Sequence, residues 1–313
     1  MANYIVTGAA GYIGSVLCKR LKELGHEITA IDLETPNHSY YDNIILTNYD
    51  VEDALSTPIA QCDGIFHLAA SSLLNPSLED PLSYYENNVG SVLKLLKIIQ
   101  RYNPVVPIVF ASSAAVYGES EELCCAQYST CSPINPYGFT KIQIEQALDD
   151  ITKYTGELPH ISFRFFNVAG GYGDVGHKIT RPALLPSLSR AVINKTPFNI
   201  YSDTLRDYIH VLDVCNAMII GQDLLKTNKI TYTSLNLCSG NLTSCSDVVD
   251  MFAEYTHNDF EIIQAGHREG DPLILKGDAE YTMTTLNWRP MFSNWPDMIN
   301  SHWEYTQYEQ GKL

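Results

Sequence analysis

The 313-residue sequence predicts an α/β fold: a Rossmann-type doubly wound parallel sheet with a smaller, mixed C-terminal lobe. Three observations carry that expectation. Short apolar runs alternate with stretches of helical period, the pattern of βαβ units whose crossovers place helices on both faces of a parallel sheet. A glycine-rich turn joins the first apolar run to the first helical stretch. After about Asn167 the alternation loosens into turn-rich and shorter segments. A chain of this length buries a large core and divides into two lobes, expected at 1–167 and, for most of the second, 168–313, with returns to the first near 206–240.

The elements follow in order. "YIVT" (4–7) reads as the first strand, and "IGSVLCKRLKEL" (13–24) as the first helix, stopped by Gly25 at a C′ position. "EITAI" (27–31) and "GIFHLA" (64–69) are strands, followed by one helix over "PLSYYENNVGSVLKLLKIIQRY" (81–102). "PIVFASS" (107–113) is the fourth long strand, "PYGFTKIQIEQALDDITKY" (136–154) the next helix and "ISFRFF" (161–166) another strand. "VAGGYGDVGHK" (168–178) then opens the looser region. In folds of this kind ligands lie in the crevice beyond the carboxyl ends of the strands.

Charge narrows the partners. A net charge of −16 and a pI near 4.8 argue against a nucleic-acid backbone or an anionic membrane, without excluding a phosphorylated small molecule held by a few arginines or helix N-termini. "NYIVTG" begins a strand at Asn3, so no signal peptide is expected, and no apolar run nears the ~18–20 residues that span a bilayer. The cysteines at 18, 62, 124, 125, 131, 215, 238 and 245 are scattered without a paired C-x-x-C, so no metal site is expected. They read as reduced, mostly buried thiols of a cytoplasmic protein.

"YIVTGAAGYIGS" places Gly8, Gly11 and Gly14, with Tyr12 and Ile13 between them, at the turn from strand to helix. Glycines there permit a tight turn, let the backbone approach a pyrophosphate and allow close helix–sheet packing, while the helix N-terminus offers free N–H groups to phosphate. Asp32 ends the second strand; an acidic side chain at that place suits the ribose hydroxyls of NAD and repels the 2′-phosphate of NADP. A solvent-facing aspartate is the plainer alternative. NAD is the expected cofactor.

Ser112 and Ser113 end the fourth long strand at the same crevice, and Tyr137 and Lys141, at i and i+4, share one helix face with Ile144 and Leu148. A phenol needs its pKa of about 10 lowered by about three units to act as a base near neutrality, roughly 4 kcal/mol. One ammonium about 4 Å away at an effective dielectric of ~20 supplies roughly that. On these residues alone two readings stand: an acid/base pair, or an ordinary aromatic at the start of an amphipathic helix.

The wider pattern adds to this. Y-x-x-x-K after a serine-bearing strand, with T-G-x-x-G-x-x-G near the N-terminus, resembles the extended short-chain dehydrogenases/reductases. "YYENNVGSV" (84–92), "SSAAVYG" (112–118), "NPYGFTK" (135–141), "RFFNVAG" (164–170), "RDYIHVLDV" (206–214), "HREGDP" (267–272) and "LNWRP" (286–290) extend the likeness along nearly the whole chain. They narrow it to the UDP-galactose 4-epimerase family. The resemblance implies an NAD-dependent enzyme that inverts C4 of a UDP-hexose or UDP-N-acetylhexosamine through a transient 4-ketose. It implies Tyr137 as acid/base, Lys141 as its electrostatic partner and ribose anchor, and Ser113 as the hydroxyl bridging Tyr137 and the sugar 4-oxygen. Asp50 and Val51 match residues at the adenine; Leu68, Ala69 and Ala70 match the segment beside pyrophosphate and nicotinamide; Asn87 matches a cofactor contact. Asn167, Arg206, Arg268 and Asp271 match the grip on the nucleotide diphosphate and ribose, and Asn199 and Tyr201 match the surroundings of the uracil. A homodimer is implied, through a four-helix contact of the 81–102 helix and the helix from Tyr137.

The chain also departs from the family's pattern. Ser72 stands where a lysine is common, which removes one cationic contact to the cofactor. Ala183 replaces an asparagine near the sugar, "IYSDTLRDY" is short and lacks the usual glycines, and Leu275 stands where some members carry a bulky tyrosine against the sugar 2-substituent. Related dehydratases place an Asp-Glu acid pair after the serine or threonine of the fourth strand, and UDP-glucuronate decarboxylases a Glu; here Ala114 and Ala115 follow Ser113, which favours epimerisation. His67 and His210 are expected to be structural.

Overall fold

A computed structural model describes residues 1–119, 124–201, 204–258, 260–266 and 272–311. Its centre is a seven-stranded sheet in which every neighbouring pair is parallel. Six strands come from residues 3–165: β1 (Asn3–Thr7), β2 (Glu27–Asp32), β3 (Asn43–Leu46), β4 (Gly64–His67), β5 (Ile108–Ser113) and β6 (His160–Phe165). The seventh, Tyr232–Leu237, returns late to pair with β6 at the edge, with Tyr232 opposite His160 and Leu237 opposite Phe165. Spatial order runs from that strand through β6, β5, β4, β1 and β2 to β3, so the chain reverses direction of build between β1 and β4. That switch point, at the carboxyl ends of β1 and β4, is where a crevice opens in doubly wound sheets. The sequence reading found five of the seven strands. Asn43–Leu46 is only four residues long, and Tyr232–Leu237 lies among turn-rich segments.

One sheet face is covered by α1 (Tyr12–Glu23), through Val16, Leu17 and Leu21, and by the helix Val211–Lys226, through Val214, Met218 and Leu225. On the other face lie α2 (Glu52–Gln61) and the helices Ser91–Tyr102 and Pro136–Thr155, with Leu55, Ile59, Leu95, Ile99, Ile144 and Leu148. α1 ends as expected at a left-handed Gly25 (φ +79°), whose N–H bonds Lys22 O at 3.0 Å while His26 N–H bonds Leu21 O at 3.1 Å. A third core, separate from these, joins the helices Leu184–Asn194, Cys245–Thr256 and Trp295–Glu309 around Leu188, Phe252 and Ile299. No helix among the described residues is long and apolar enough to cross a membrane.

The expected single helix over 81–102 is a correction. Pro81–Tyr84 is α-helical, Tyr85–Gly90 is a π-helical turn, and Ser91–Tyr102 resumes the α-helix. The widened turn presents Asn87 and Asn88, consecutive in sequence, to one loop: Asn87 Nδ2 donates to Ser71 Oγ at 3.0 Å, and Asn88 bonds the Ser71 backbone. In a regular helix neighbours point about 100° apart. π turns of this kind recur at functional sites.

The "RDYIHVLDV" segment reads as a structural knot. Asp207 accepts from Ser239 N, Ser239 Oγ and Gly240 N, each at 2.8 Å. His210 accepts from Leu212 N at Nδ1 (3.0 Å), so its Nε2–H faces Ser301 Oγ at 2.8 Å, and Asp213 holds the 291–293 segment through Met291 N, Phe292 N and Ser293 Oγ. The structural reading of His210 therefore agrees with its bonds.

Candidate active site

Along the switch point runs one cleft of about 1260 Å³, bounded by the strand ends on one side and by the C-terminal lobe on the other. Gly8, Gly11, Tyr12, Ile13, Gly14, Asp32, Leu68, Ala69, Ala70, Asn87, Tyr137 and Lys141 all line it. So do Ser113, Asn167, Asn199, Tyr201 and Arg206. The fold thus gathers most of the residues singled out in the sequence.

At the cofactor end the backbone does most of the building. Gly8 is left-handed (φ +70°), and a Cβ there would lie 2.8 Å from Ala69 N and 2.9 Å from Leu68 C. α1 starts at Gly11 without a side-chain cap, leaving its first N–H groups to the cleft. Asp32 takes Ala10 N at 2.8 Å on one oxygen and Leu33 N at 2.7 Å on the other, which clips the glycine turn to β2. Each oxygen keeps acceptor capacity toward the cleft. Thr7 Oγ1 accepts the Leu68 and Ala69 N–H groups, each at 3.2 Å. A glycine cradle, an uncapped helix N-terminus and an acidic side chain at the end of β2 together fit a dinucleotide.

Ser113, Tyr137 and Lys141, the expected catalytic trio, converge at the middle. Asn135 caps the helix Pro136–Thr155 by accepting Gly138 N at 2.8 Å, with Pro136 at the first position, which sets Tyr137 at the crevice. Ser113 Oγ accepts Ala115 N at 3.2 Å, and Ser113 hydrogen-bonds Tyr137, favouring its phenolate. Burial nevertheless dominates and pushes the Tyr137 phenol up to about 12. Lys141 Nζ donates to Ala111 O at 2.6 Å and lies 5.7 Å from the Tyr137 ring centroid; burial draws its pKa down to about 7, against the raising influence of Glu145. Burial thus works against the pairing of ammonium and phenolate from both sides, since the lysine is itself desolvated.

Behind the trio is a buried knot that sequence reasoning missed. Glu145, one turn beyond Lys141, bonds Ser112 Oγ and takes Arg164 Nη2 at 2.7 Å and Nε at 3.1 and 3.2 Å. Arg164 also reaches Tyr117 Oη at 3.0 Å and Gln127 O at 2.9 Å. This fixes the end of β5 against the helix of Tyr137. The i+8 spacing of Glu145 from Tyr137 was visible; its partner on β6 was not.

Other placements differ from expectation. Asp50 is exposed and pairs with Lys94, and Val51 is exposed at the start of α2. Neither lines the cleft, where Thr47, Asn48 and Tyr49 stand instead. Leu275 also lies outside it, in the short strand Ile274–Leu275 beside Arg206, packed against the core around Tyr117 and Cys238. Arg268 and Asp271 lie outside the described residues. His67, expected to be satisfied, is half so: Nδ1 faces Thr7 Oγ1 at 2.8 Å, while the buried Nε2 has no hydrogen-bond partner among the described residues.

At the opposite end the parts come from distant segments. Arg206 is buried to 6% exposure, its guanidinium held by the carbonyls of Leu205 (3.0 Å), Leu273 (3.1 Å) and Pro272. Asn199 sits in the strand Phe198–Ile200, opposite Ile263. The first turn of the helix Leu184–Asn194 lines the cleft without a side-chain cap, and His177, stacked on Tyr12 at 4.4 Å, lies nearby. Tyr12 Oη donates to Gly170 O at 2.7 Å, and Lys19 and Tyr40 both hold Asp174 (2.6 and 2.7 Å), so the 170–174 segment is tied to α1 and to the stretch after β2. No group of three or more His, Cys, Asp or Glu among the described residues is placed to hold a metal ion.

Comparison with known proteins agrees with this geometry. Residues 4–238 match the model of the NAD dependent epimerase/dehydratase family. The chain is 32% identical to the UDP-glucose 4-epimerase of Corynebacterium glutamicum, over 96% of this chain and 95% of that one. The fold matches that of UDP-glucose 4-epimerase from Brucella ovis in complex with NAD (TM-score 0.91, 27% identity, 98% and 99% coverage). It also matches UDP-N-acetylglucosamine 4-epimerase from Methanobrevibacter ruminantium in complex with UDP-N-acetylmuramic acid (TM-score 0.85, 25% identity, 100% and 99% coverage).

Proposed function

The chain belongs to the NAD dependent epimerase/dehydratase family, and from that premise we propose that it inverts C4 of a UDP-hexose or UDP-N-acetylhexosamine with NAD as cofactor. The carrying observation is the trio itself: Ser113, Tyr137 and Lys141 meet at the junction of the two cleft ends, with Ala114 and Ala115 where a dehydratase or decarboxylase would need acid groups. The turn of Ala114–Val116 is wedged against the catalytic helix, since a Cβ on Gly138 would meet Ala115 O at 2.5 Å.

Tyr137 Oη takes the proton of the sugar 4-hydroxyl as the C4 hydride leaves, and returns it to the 4-oxygen when hydride comes back on the opposite face of the ketose. NAD, when bound, supplies the acceptor and donor of the C4 hydride, and its oxidised ring adds positive charge to the site. Ser113 hydrogen-bonds the phenolate and orients the 4-oxygen; Lys141, in its protonated form, places positive charge close to it. Arg206 and the uncapped helix at Leu184 suit the diphosphate, with Asn167, Asn199 and Tyr201 on the nucleotide. A firm grip on the diphosphate leaves the sugar free to turn over between the two transfers.

We extend this reading to a homodimer. The exposed apolar side chains Leu78, Leu82, Leu93 and Phe139 lie on or beside the helices of the expected four-helix contact, and light scattering of the purified protein tests it. The cytoplasmic reading rests on the dinucleotide and on the unpatterned cysteines.

A panel of UDP-sugars incubated with the protein and NAD, resolved by chromatography, tests the function. Interconversion of C4 epimers is the expected result. Products short of water or CO₂ favour the dehydratase or decarboxylase reading, and NAD binding without conversion of any sugar favours a sensor.

A further inference from the structure

We infer that Asn88 is a positioning residue for the cofactor: from the π turn it clamps the 69–73 segment over the glycine turn and ties it to the helix of Tyr137. The inference rests on the NAD reading above. Asn88 is fully buried, and its amide is used on both sides. Oδ1 accepts Ser71 N at 2.8 Å; Nδ2 donates to Ser71 O at 3.0 Å and to Thr140 Oγ1 at 3.0 Å. Thr140 Oγ1 in turn donates to Tyr137 O at 2.7 Å, so the loop and the first turn of the catalytic helix share one chain of bonds.

The rest of the segment is held to match. Tyr84 Oη donates to Leu73 O at 2.6 Å, and Asn87 reaches Ser71 Oγ. On the far side Thr7 holds the Leu68 and Ala69 amides, and Gly8 leaves no room for a side chain under them. The segment is thus gripped between the end of β1 and residues 84–88 before any ligand arrives. This matters because Ser72, exposed at the cleft, puts no cation on the loop. Without that charge, the hold on NAD depends on where the backbone of 69–71 and the half-buried Asn87 are set, and Asn88 sets both. No other side chain of that size supplies an acceptor and two donors in the same plane. Leucine would leave the Ser71 N–H and C=O without partners, and aspartate would lose both donors.

The test is NAD binding measured by calorimetry on protein stripped of nucleotide. Asn88→Ala is expected to raise the dissociation constant for NAD at least tenfold while that for UDP stays within twofold. Asn88→Asp, which keeps only the acceptor to Ser71 N–H, is expected to weaken NAD as well. A folded Asn88→Ala protein that binds NAD within twofold of the unmodified chain overturns the inference. Hydrogen exchange of the unmodified, NAD-free protein supplies a second test that needs no variant. The Ser71 amide is expected to exchange as slowly as the helix Ser91–Tyr102, and exchange at the rate of an exposed loop overturns the clamp. Failure of the unmodified protein to bind NAD overturns the functional reading instead, and a protected Ser71 amide then still upholds the clamp.

Discussion

The two ends of the cleft are built by opposite strategies. At the β1 end, backbone comes close to ligand space, and the contacts are local: a glycine turn clipped by Asp32, a helix start, and the loop after β4. At the far end, side chains from segments separated by scores of residues converge, and Arg206 is aimed by carbonyls of residues 272 and 273. Backbone cradles discriminate little among substituents but hold a constant ligand in one pose. Side-chain clusters are readily changed one residue at a time. The difference fits a protein whose cofactor is fixed and whose sugar varies across relatives, and Tyr137 stands where the two constructions meet.

The largest expected effect belongs to that junction. Tyr137→Phe should lower kcat by ~10²–10⁴-fold, the usual value of a positioned acid/base group, with NAD and UDP affinities unchanged by calorimetry. An equal loss of binding at either end would dissolve the separation of chemistry from grip. Next is Arg206→Gln, expected to weaken UDP by roughly 10- to 100-fold, since charged hydrogen bonds are worth about 1.5–3 kcal/mol, while NAD binding holds. If NAD weakens equally, the two ends are one unit.

Gly8→Ala should act at the other end. A left-handed alanine costs about 1–2 kcal/mol, and its Cβ presses on Ala69 N, so NAD affinity should fall roughly tenfold with UDP unaffected. Retained NAD affinity would show that the cradle tolerates a side chain. The smallest effect is on stability. The buried Lys141 has its folded pKa lowered from 10.5 to about 7, so between about pH 7 and 10.5 the unfolded chain binds more protons. The Lys141 contribution to stability therefore rises with pH through that window, and the cost of burying the ammonium is fully present below pH 7. Buried thiols such as Cys18 and Cys62, raised by burial, pull the other way from about pH 9. Tyr137, raised to about 12, begins to oppose this trend only above pH 10. Urea unfolding at pH 7.5 and 9.5 should show the unmodified chain gaining about 2 kcal/mol relative to Lys141→Met, and no relative gain would show that the lysine is not held neutral.

Legibility in the sequence follows the same division. Gly8, Gly11, Gly14, Asp32, Tyr137 and Lys141 were readable because their geometry is set by neighbours a few positions away. Asn88 was not, because its role depends on a π turn that the apolar periodicity of 81–102 conceals, and on a loop 17 residues earlier in the chain. Asp50 and Val51 matched a pattern, yet the ion pair with Lys94 and the start of α2 place both outside the cleft. Glu145 was visible as a charge on a helix; only its meeting with Arg164 across β6 makes it part of a buried knot.

By itself, the sequence determined the sheet class, the dinucleotide turn, the preference for NAD and the placing of Tyr137 and Lys141 on one helix face, all of them consequences of short-range spacing. Tertiary structure alone decided how the pair is poised. Burial raises Tyr137 and lowers Lys141 together, because a desolvated phenolate and a desolvated ammonium are each costly. It also decided which residues hold the loop over the cofactor. Desolvation and long-range hydrogen bonds depend on which distant segments close over a group, and no spacing along the chain records that.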